Sequence, residues 1–195
     1  MTYIDFLVSV AIMVMIFNLI SLFGRDVFSF SRYTNSTLSA QQDARNVLRQ
    51  FASELRTASI ASTGSYAIGG AATSSITFYS DTNGDGIKEQ IRYFLSTDKK
   101  SLKKTVITPS GTPLAYTGAG VTTTVMNGLA NGNNPIFTYY DKNYTGTSAA
   151  LSDPVDIQAV RLVRADITID SDPNMSPVPI VVTTQISIRN LKDNL

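Results

Sequence analysis

From Phe6 to Phe23 the chain runs without a charge, and only Ser9, Asn18 and Ser21 interrupt its apolar character. As a helix this run is about 27 Å long at ~1.5 Å per residue, close to the ~30 Å hydrocarbon core of a bilayer. It therefore predicts a membrane-spanning helix. A secretory signal peptide fits less well, because no Lys or Arg precedes Arg25 and no small-residue cleavage pattern follows.

Beyond Arg25 the pattern becomes amphipathic. Val27, Phe30, Thr34, Leu38, Gln41, Ala44, Leu48, Phe51, Leu55 and Ala58 recur at spacings of three and four, and the charged residues fall elsewhere on the wheel. That spacing predicts one core-facing stripe over about eight turns. With no proline in residues 1–108, the expectation is a single helix over 2–59. Residues 1–24 would be apolar all round, and residues 25–58 would have one face for a core.

The composition changes at residue 59 to Ser, Thr, Gly, Asn and β-branched types, so residues 59–195 predict a β-rich head. Residues 61–75 read as loop. Short strands are expected at 76–79, 90–95, 102–107, 121–125 and 136–140. Two longer ones close the chain, with Val163, Ala165, Ile167 and Ile169 alternating against polar residues, then Ile180, Val182, Thr184, Ile186 and Ile188. Period-two alternation means a sheet with one buried side, and the stripe of the helix is its natural cover. The fold class is α+β: a long N-terminal α-helix packed on an antiparallel β-sheet head. Residues 171–179 read as the loop between the last two strands.

Composition excludes whole classes of chemistry. The chain has no Cys and no His, which removes disulfides, thiol nucleophiles, His-based triads and His-bound zinc. Lys+Arg 16 against Asp+Glu 15 gives a net charge of +1, with no global reason to expect nucleic-acid binding. The acidic residues are scattered, so a two-carboxylate hydrolase has no second cluster to work with. The chain reads as a non-enzyme.

Asp5 is out of place in a simple anchor, since a carboxylate in lipid costs up to about 3 kcal/mol at mid-bilayer. Two readings account for it. Asp5 can pair with the N-terminal amine of a neighbouring chain and set the register of a helical bundle. It can equally rest at the interface, where the helix N-terminus favours a negative charge.

The opening Met1-Thr2-Tyr3-Ile4-Asp5-Phe6-Leu7-Val8 resembles the start of mature type IV pilins and type II secretion pseudopilins. Thr2, Ile4, Leu7 and Val8 match that family's pattern, and Asp5 stands at its acidic position, with Asp in place of the usual Glu. Residues 44–59, the run Gln90-Ile91-Arg92-Tyr93-Phe94-Leu95 before Leu102-Lys103-Lys104, and the close Ser187-Ile188-Arg189-Asn190 resemble J-type pseudopilins and W-type minor pilins. The family's helix-bending proline near position 22 is missing, and Gly24 makes 18–24 the candidate weak point. Its C-terminal disulfide loop cannot form.

The resemblance implies the pilin fold and a subunit of a type IV pilus or related filament. It implies a chain in mature form, processed by a prepilin peptidase and N-methylated at Met1. Partners would be copies of itself in a helical homopolymer, other pilins and an inner-membrane assembly platform driven by a separate ATPase. The subunit would wait in the inner membrane and end in a cell-surface filament serving adhesion, motility or secretion. A minor pilin or J-type pseudopilin at a filament tip is the alternative within the family. Outside it stands a bitopic membrane protein with a β-rich binding head, which leaves Asp5 unexplained.

No cofactor is required by this reading, but one loop invites calcium. Asp81, Asn83, Asp85 and Glu89 alternate with Gly84 and Gly86 as in the first half of a calcium loop, although Arg92 stands where a bidentate Glu is expected. Asn-Gly and Asp-Gly make an equally ordinary hairpin turn between the strands on either side. The lysines at 99, 100, 103 and 104 read as a solvated strand edge, with DNA capture the sharper alternative. Asn35-Ser36-Thr37, Asn143-Tyr144-Thr145 and Asn174-Met175-Ser176 fit the glycosylation pattern.

Overall fold

A computed structural model describes residues 3–170 and 179–191. Its elements are one long helix, α1 (Tyr3–Arg56), and eight strands: β1 (Ile68–Ala72), β2 (Ser75–Ser80), β3 (Glu89–Leu95), β4 (Ser101–Ile107), β5 (Val121–Asn127), β6 (Phe137–Tyr140), β7 (Leu162–Ile169) and β8 (Ile180–Ser187). A short 3-10 turn, Arg189–Leu191, follows β8. The class is α+β. By compactness the chain forms two units, Met1–Ser39 and Ala40–Leu195. Composition divides it instead at residue 59, because the last turns of α1 share the chemistry of a helix but the core of the head.

Within Ala40–Leu195 the strands form two antiparallel sheets, a five-stranded meander in the order β1-β2-β3-β4-β5 and a three-stranded sheet in the order β6-β7-β8. The sheets meet where the N–H groups of Ile136 and Phe137 donate to the Thr73 carbonyl, and where the Tyr139 hydroxyl donates to the carbonyls of Ala72 and Ser75. Strand β7 buries alternate residues, Val163, Ala165, Ile167 and Ile169, as the period-two pattern requires.

The residues expected to form a loop at 61–75 contain β1. That strand has weak local signals, Gly69 and Gly70 among them, and its pairing with β2 is bulged between Ile68 and Gly70. Packing explains the glycine: a Cβ at Gly69 would lie 3.0 Å from the Tyr79 hydroxyl. The remaining predicted strands lie where expected.

The core is built around the last turns of α1. Ala44, Leu48, Phe51, Ala52 and Leu55 are buried. The Phe51 ring meets Tyr93 at 5.1 Å and Phe78 at 6.2 Å edge-on, both from the five-stranded sheet, and Phe137 of the three-stranded sheet at 5.5 Å. One aromatic ring thus contacts both sheets. The stripe expected over eight turns is a core face only from Ala44 onward, since Val27, Phe30 and Leu38 are exposed. Periodicity marks a face that will be covered, but it does not say by what.

Glu54 ties the helix to the meander. It accepts from the Tyr93 hydroxyl (2.8 Å) and from Lys104 Nζ (2.5 Å) and Gln50 Nε2 (3.0 Å). The side chains of Lys104 and Glu54 are only 10% and 12% exposed. Burial, then the Glu54 charge and its hydrogen bond, push the Tyr93 phenol well above its usual range, so it stays a neutral donor. This corrects the reading of a solvated edge in part: Lys99 and Lys100 are exposed, but Lys104 is buried and the strand is not an edge. β4 lies between β3 and β5, Lys104 points inward to Glu54, and Lys99 Nζ donates to Asn133 Oδ1.

Two outcomes are expected from urea unfolding of the full chain in detergent. Phe51→Ala should cost about 3–5 kcal/mol, the usual loss for an aromatic removed from a packed core. Glu54→Ala should cost about 3 kcal/mol by leaving Lys104 buried without its counter-charge, and adding Lys104→Met should recover most of it. Equal losses in the single and double variants would show that the pair itself, rather than the stranded charge, carries the effect.

Candidate functional site

The N-terminal unit is the first candidate. Of α1's large apolar side chains from Tyr3 to Phe30, all are exposed, by 42% at Val10 to 77% at Tyr3. At roughly 1.5–3 kcal/mol for each such side chain brought out of water, their exposure costs on the order of tens of kcal/mol. α1 is the one helix among the described residues long and apolar enough to cross a membrane, and none of its most apolar stretch is buried.

The polar residues in this stretch are turned inward on their own helix. Ser9 Oγ donates to the Asp5 carbonyl, Asn18 Nδ2 to the Val14 carbonyl and Ser21 Oγ to the Phe17 carbonyl, all at 2.8–2.9 Å. Thr34 Oγ1 does the same with Phe30. Each is an i to i−4 bond that satisfies a side-chain donor without water, which suits an apolar surround. Their position inside a helix was the available signal, since Ser and Thr there can bond back to the preceding turn. Asp5 lies exposed in the first turn of α1. Met1 lies outside the described residues. Gly24 is inside the helix, and a Cβ there would meet nothing within 4 Å.

The second candidate, residues 81–89, connects β2 to β3, whose register runs Ser80↔Glu89. Asp81 Oδ1 accepts from the Gly84 N–H (2.7 Å), and Oδ2 accepts from the Gly86 N–H (2.9 Å) and Lys88 Nζ (3.4 Å). Asp85 Oδ1 accepts from Ile87 N–H and its Oδ2 from Asn83 Nδ2. Gly84 and Gly86 adopt φ of +80° and +87°, where a side chain would be strained. Glu89 is buried. Its Oε2 accepts from the N–H and hydroxyl of Thr82 at 2.9 Å, while Oε1 is buried with no hydrogen-bond partner.

These bonds are those of the hairpin-turn reading, with side chains of Asp81, Asn83 and Asp85 closing the loop on its own backbone. Among the described residues, no group of three or more His, Cys, Asp or Glu side chains is placed to hold a metal ion. The exception to a closed account is Glu89 Oε1, one acceptor left for a water or a cation.

Of the glycosylation triplets, Asn35 is exposed on α1 and Asn143 is exposed but donates its side-chain amide to Asp141 Oδ2. Asn174 lies outside the described residues, as does the loop 171–178. Sequence reasoning missed the arginines of the head. Arg45, Arg49 and Arg56 line a cavity of about 270 Å³ with Val182, Thr183 and Thr184. Their spacing of four and seven was the available signal. No protein-family model, curated protein or solved structure matches this chain.

Burial raises the Asp81 carboxyl, but the N–H groups of Gly84 and Gly86 and the charge of Lys88 outweigh it and hold its pKa below the ordinary aspartate value. The sign follows: the turn's share of stability is present above that ordinary value and lost as pH falls through the lowered one. Hydrogen exchange at Gly84 and Gly86, corrected for intrinsic rate, should therefore quicken in strong acid. Asp81→Ala should show the same loss already at neutral pH. Running both with a chelator and with added calcium separates the two readings of the loop, because protection that rises with calcium returns it to ion binding.

Proposed function

We propose that the chain is a structural subunit of a type IV pilus or a related filament, with the pilin fold. The observation that carries this reading is the wholly exposed apolar length of α1. Such a surface must be covered, first by lipid and then, on assembly, by the same helices of neighbouring subunits. The self-satisfied Ser9, Asn18 and Ser21 support both surroundings, since neither demands water. The resemblance of residues 1–8 supports the filament over a simple anchor.

Exchanging lipid for helix contacts changes little apolar area, so packing and polar pairing must supply the specificity. Asp5 is the natural register pin. Its carboxylate would meet the N-terminal amine of a neighbour, where a slip by one residue would leave a charge unpaired in an apolar bundle. The β-rich unit would form the outer surface. Prepilin peptidase, other pilins and an inner-membrane platform are the partners this role requires.

Asp5→Ala should abolish sheared surface fibres while leaving the amount of membrane-inserted subunit unchanged. Normal fibre yield from that variant would remove the register role. N-terminal peptide mass spectrometry of the sheared fraction tests the role as a whole: a methylated residue 1 in fibres supports it, and recovery from membranes alone speaks for a bitopic protein. If the helix must yield at 18–24 during assembly, Gly24→Ala, which fits sterically and adds about 1 kcal/mol of helix propensity, should lower fibre yield.

A further inference from the structure

We infer that the groove beside the open edge of β8 takes an extended acidic segment of another protein, added antiparallel to β8 as a further strand. This site lies within the Ala40–Leu195 unit and does not depend on the role of the apolar helix.

The first observation is the edge itself. Among the described residues β8 pairs with β7 alone. The Ile188 N–H donates to the Arg161 carbonyl, and bonded pairs alternate along an antiparallel ladder. Ile186, Thr184 and Val182 are therefore turned to β7. Val181, Thr183, Gln185 and Ser187 direct their N–H and C=O groups outward, and no other group among the described residues bonds them. β8 carries no charge and no proline, the usual means of discouraging strand addition.

The second observation is what borders that edge. Arg45, Arg49 and Arg56 lie with Ala52 at i, i+4, i+7 and i+11, one stripe of α1. The cavity between this stripe and Val182, Thr183 and Thr184 is about 270 Å³. A second cavity of about 590 Å³ shares Arg56 and adds Gln185, Ser187 and Arg189. Among the described residues no carboxylate lines either one. None of these four guanidinium groups makes a hydrogen bond or ion pair among the described residues, whereas Arg164 holds Asp166 at 2.9 Å.

The two observations specify the partner together. An open backbone edge is satisfied by an extended chain, and guanidinium forks by carboxylates. Along a strand, side chains on one face recur every ~6.8 Å, against ~6 Å of helix rise from Arg45 to Arg49 and ~10.5 Å from Arg49 to Arg56. Acidic residues at alternate positions would thus match the spacing of Arg45 and Arg49, with Arg56 lying between two of them. Residues directly opposite share a face, so those bonded to Thr183 and Gln185 would point away from α1. The acidic residues would then be the ones not bonded to β8.

Fluorescence polarisation on the full chain in detergent micelles tests this with labelled peptides of alternating Thr and Glu. The acidic peptide should bind, and an alternating Thr-Lys peptide should not. Arg45→Glu combined with Arg49→Glu should weaken binding about tenfold or more, and Arg45→Gln with Arg49→Gln by less. Both positions are exposed and have no partner among the described residues, and an unchanged thermal midpoint verifies the fold of each variant. N-methylation of the peptide at its Thr residues should abolish binding, while N-methylation at its Glu residues should spare it. Binding indifferent to both methylation patterns overturns the strand, leaving only an anion groove. Binding indifferent to the arginine variants, or no binding at millimolar peptide, overturns the site.

Discussion

The head depends on a single aromatic contact set. Phe51 reaches Phe78 and Tyr93 on one sheet and Phe137 on the other, so the two sheets share a core through a residue of α1. Each sheet has a hydrophobic face that needs a cover, and the last turns of α1 supply part of it. Glu54, one turn further along, adds direction to what Phe51 supplies in area. Its two hydrogen bonds across to the sheet set the rotation of the helix over Tyr93 and Lys104. Apolar packing gathers these elements, and the buried polar set selects among the ways they could pack.

The same helix serves opposite ends in its two portions. From Ala44 onward its apolar residues are consumed by the head, and from Tyr3 to Phe30 they are left outside. A chain that exposed such a surface by accident would be a liability. Here the polar side chains within it are folded onto their own carbonyls, which removes the need for water at those points. The residues that build the core of the head are therefore not those left exposed, and a change in one half need not disturb the other.

Much of this architecture was legible in the sequence. The helix, seven of the strands and the buried faces of β7 and β8 follow from periodicity and proline-free length. β1 was not legible, because Gly69 exists to admit Tyr79, a contact with no local signature. Nor was the burial of Lys104: a lysine among lysines reads as solvent-facing, and only the alternation of β4 and the position of Glu54 turn it inward. The division into two sheets was equally hidden, since strand order is decided by connections such as that from Ile136 to Thr73. Among the candidate site residues, Asp81, Asn83 and Asp85 stand where the turn chemistry puts them. What each does could not be read from spacing that serves two ends.

Near-neutral net charge conceals an uneven use of the two signs. Asp81 accepts from the backbone N–H groups of Gly84 and Gly86, Asp85 from Ile87, Asp98 from Lys100, Asp141 from Asn143 and Asp156 from Gln158. These carboxylates close turns, and Asx turns of this kind use acidic oxygens where an ion pair would otherwise have used them. Lys+Arg 16 against Asp+Glu 15 therefore does not mean fifteen pairs in the making. The head's loops consume acceptors, and Arg45, Arg49, Arg56 and Arg189 remain as donors without a partner among the described residues. Arginine is costly to leave idle beside an apolar groove only if water is excluded. In the open groove it stays hydrated, and the charge becomes available to whatever can displace that water with carboxylates.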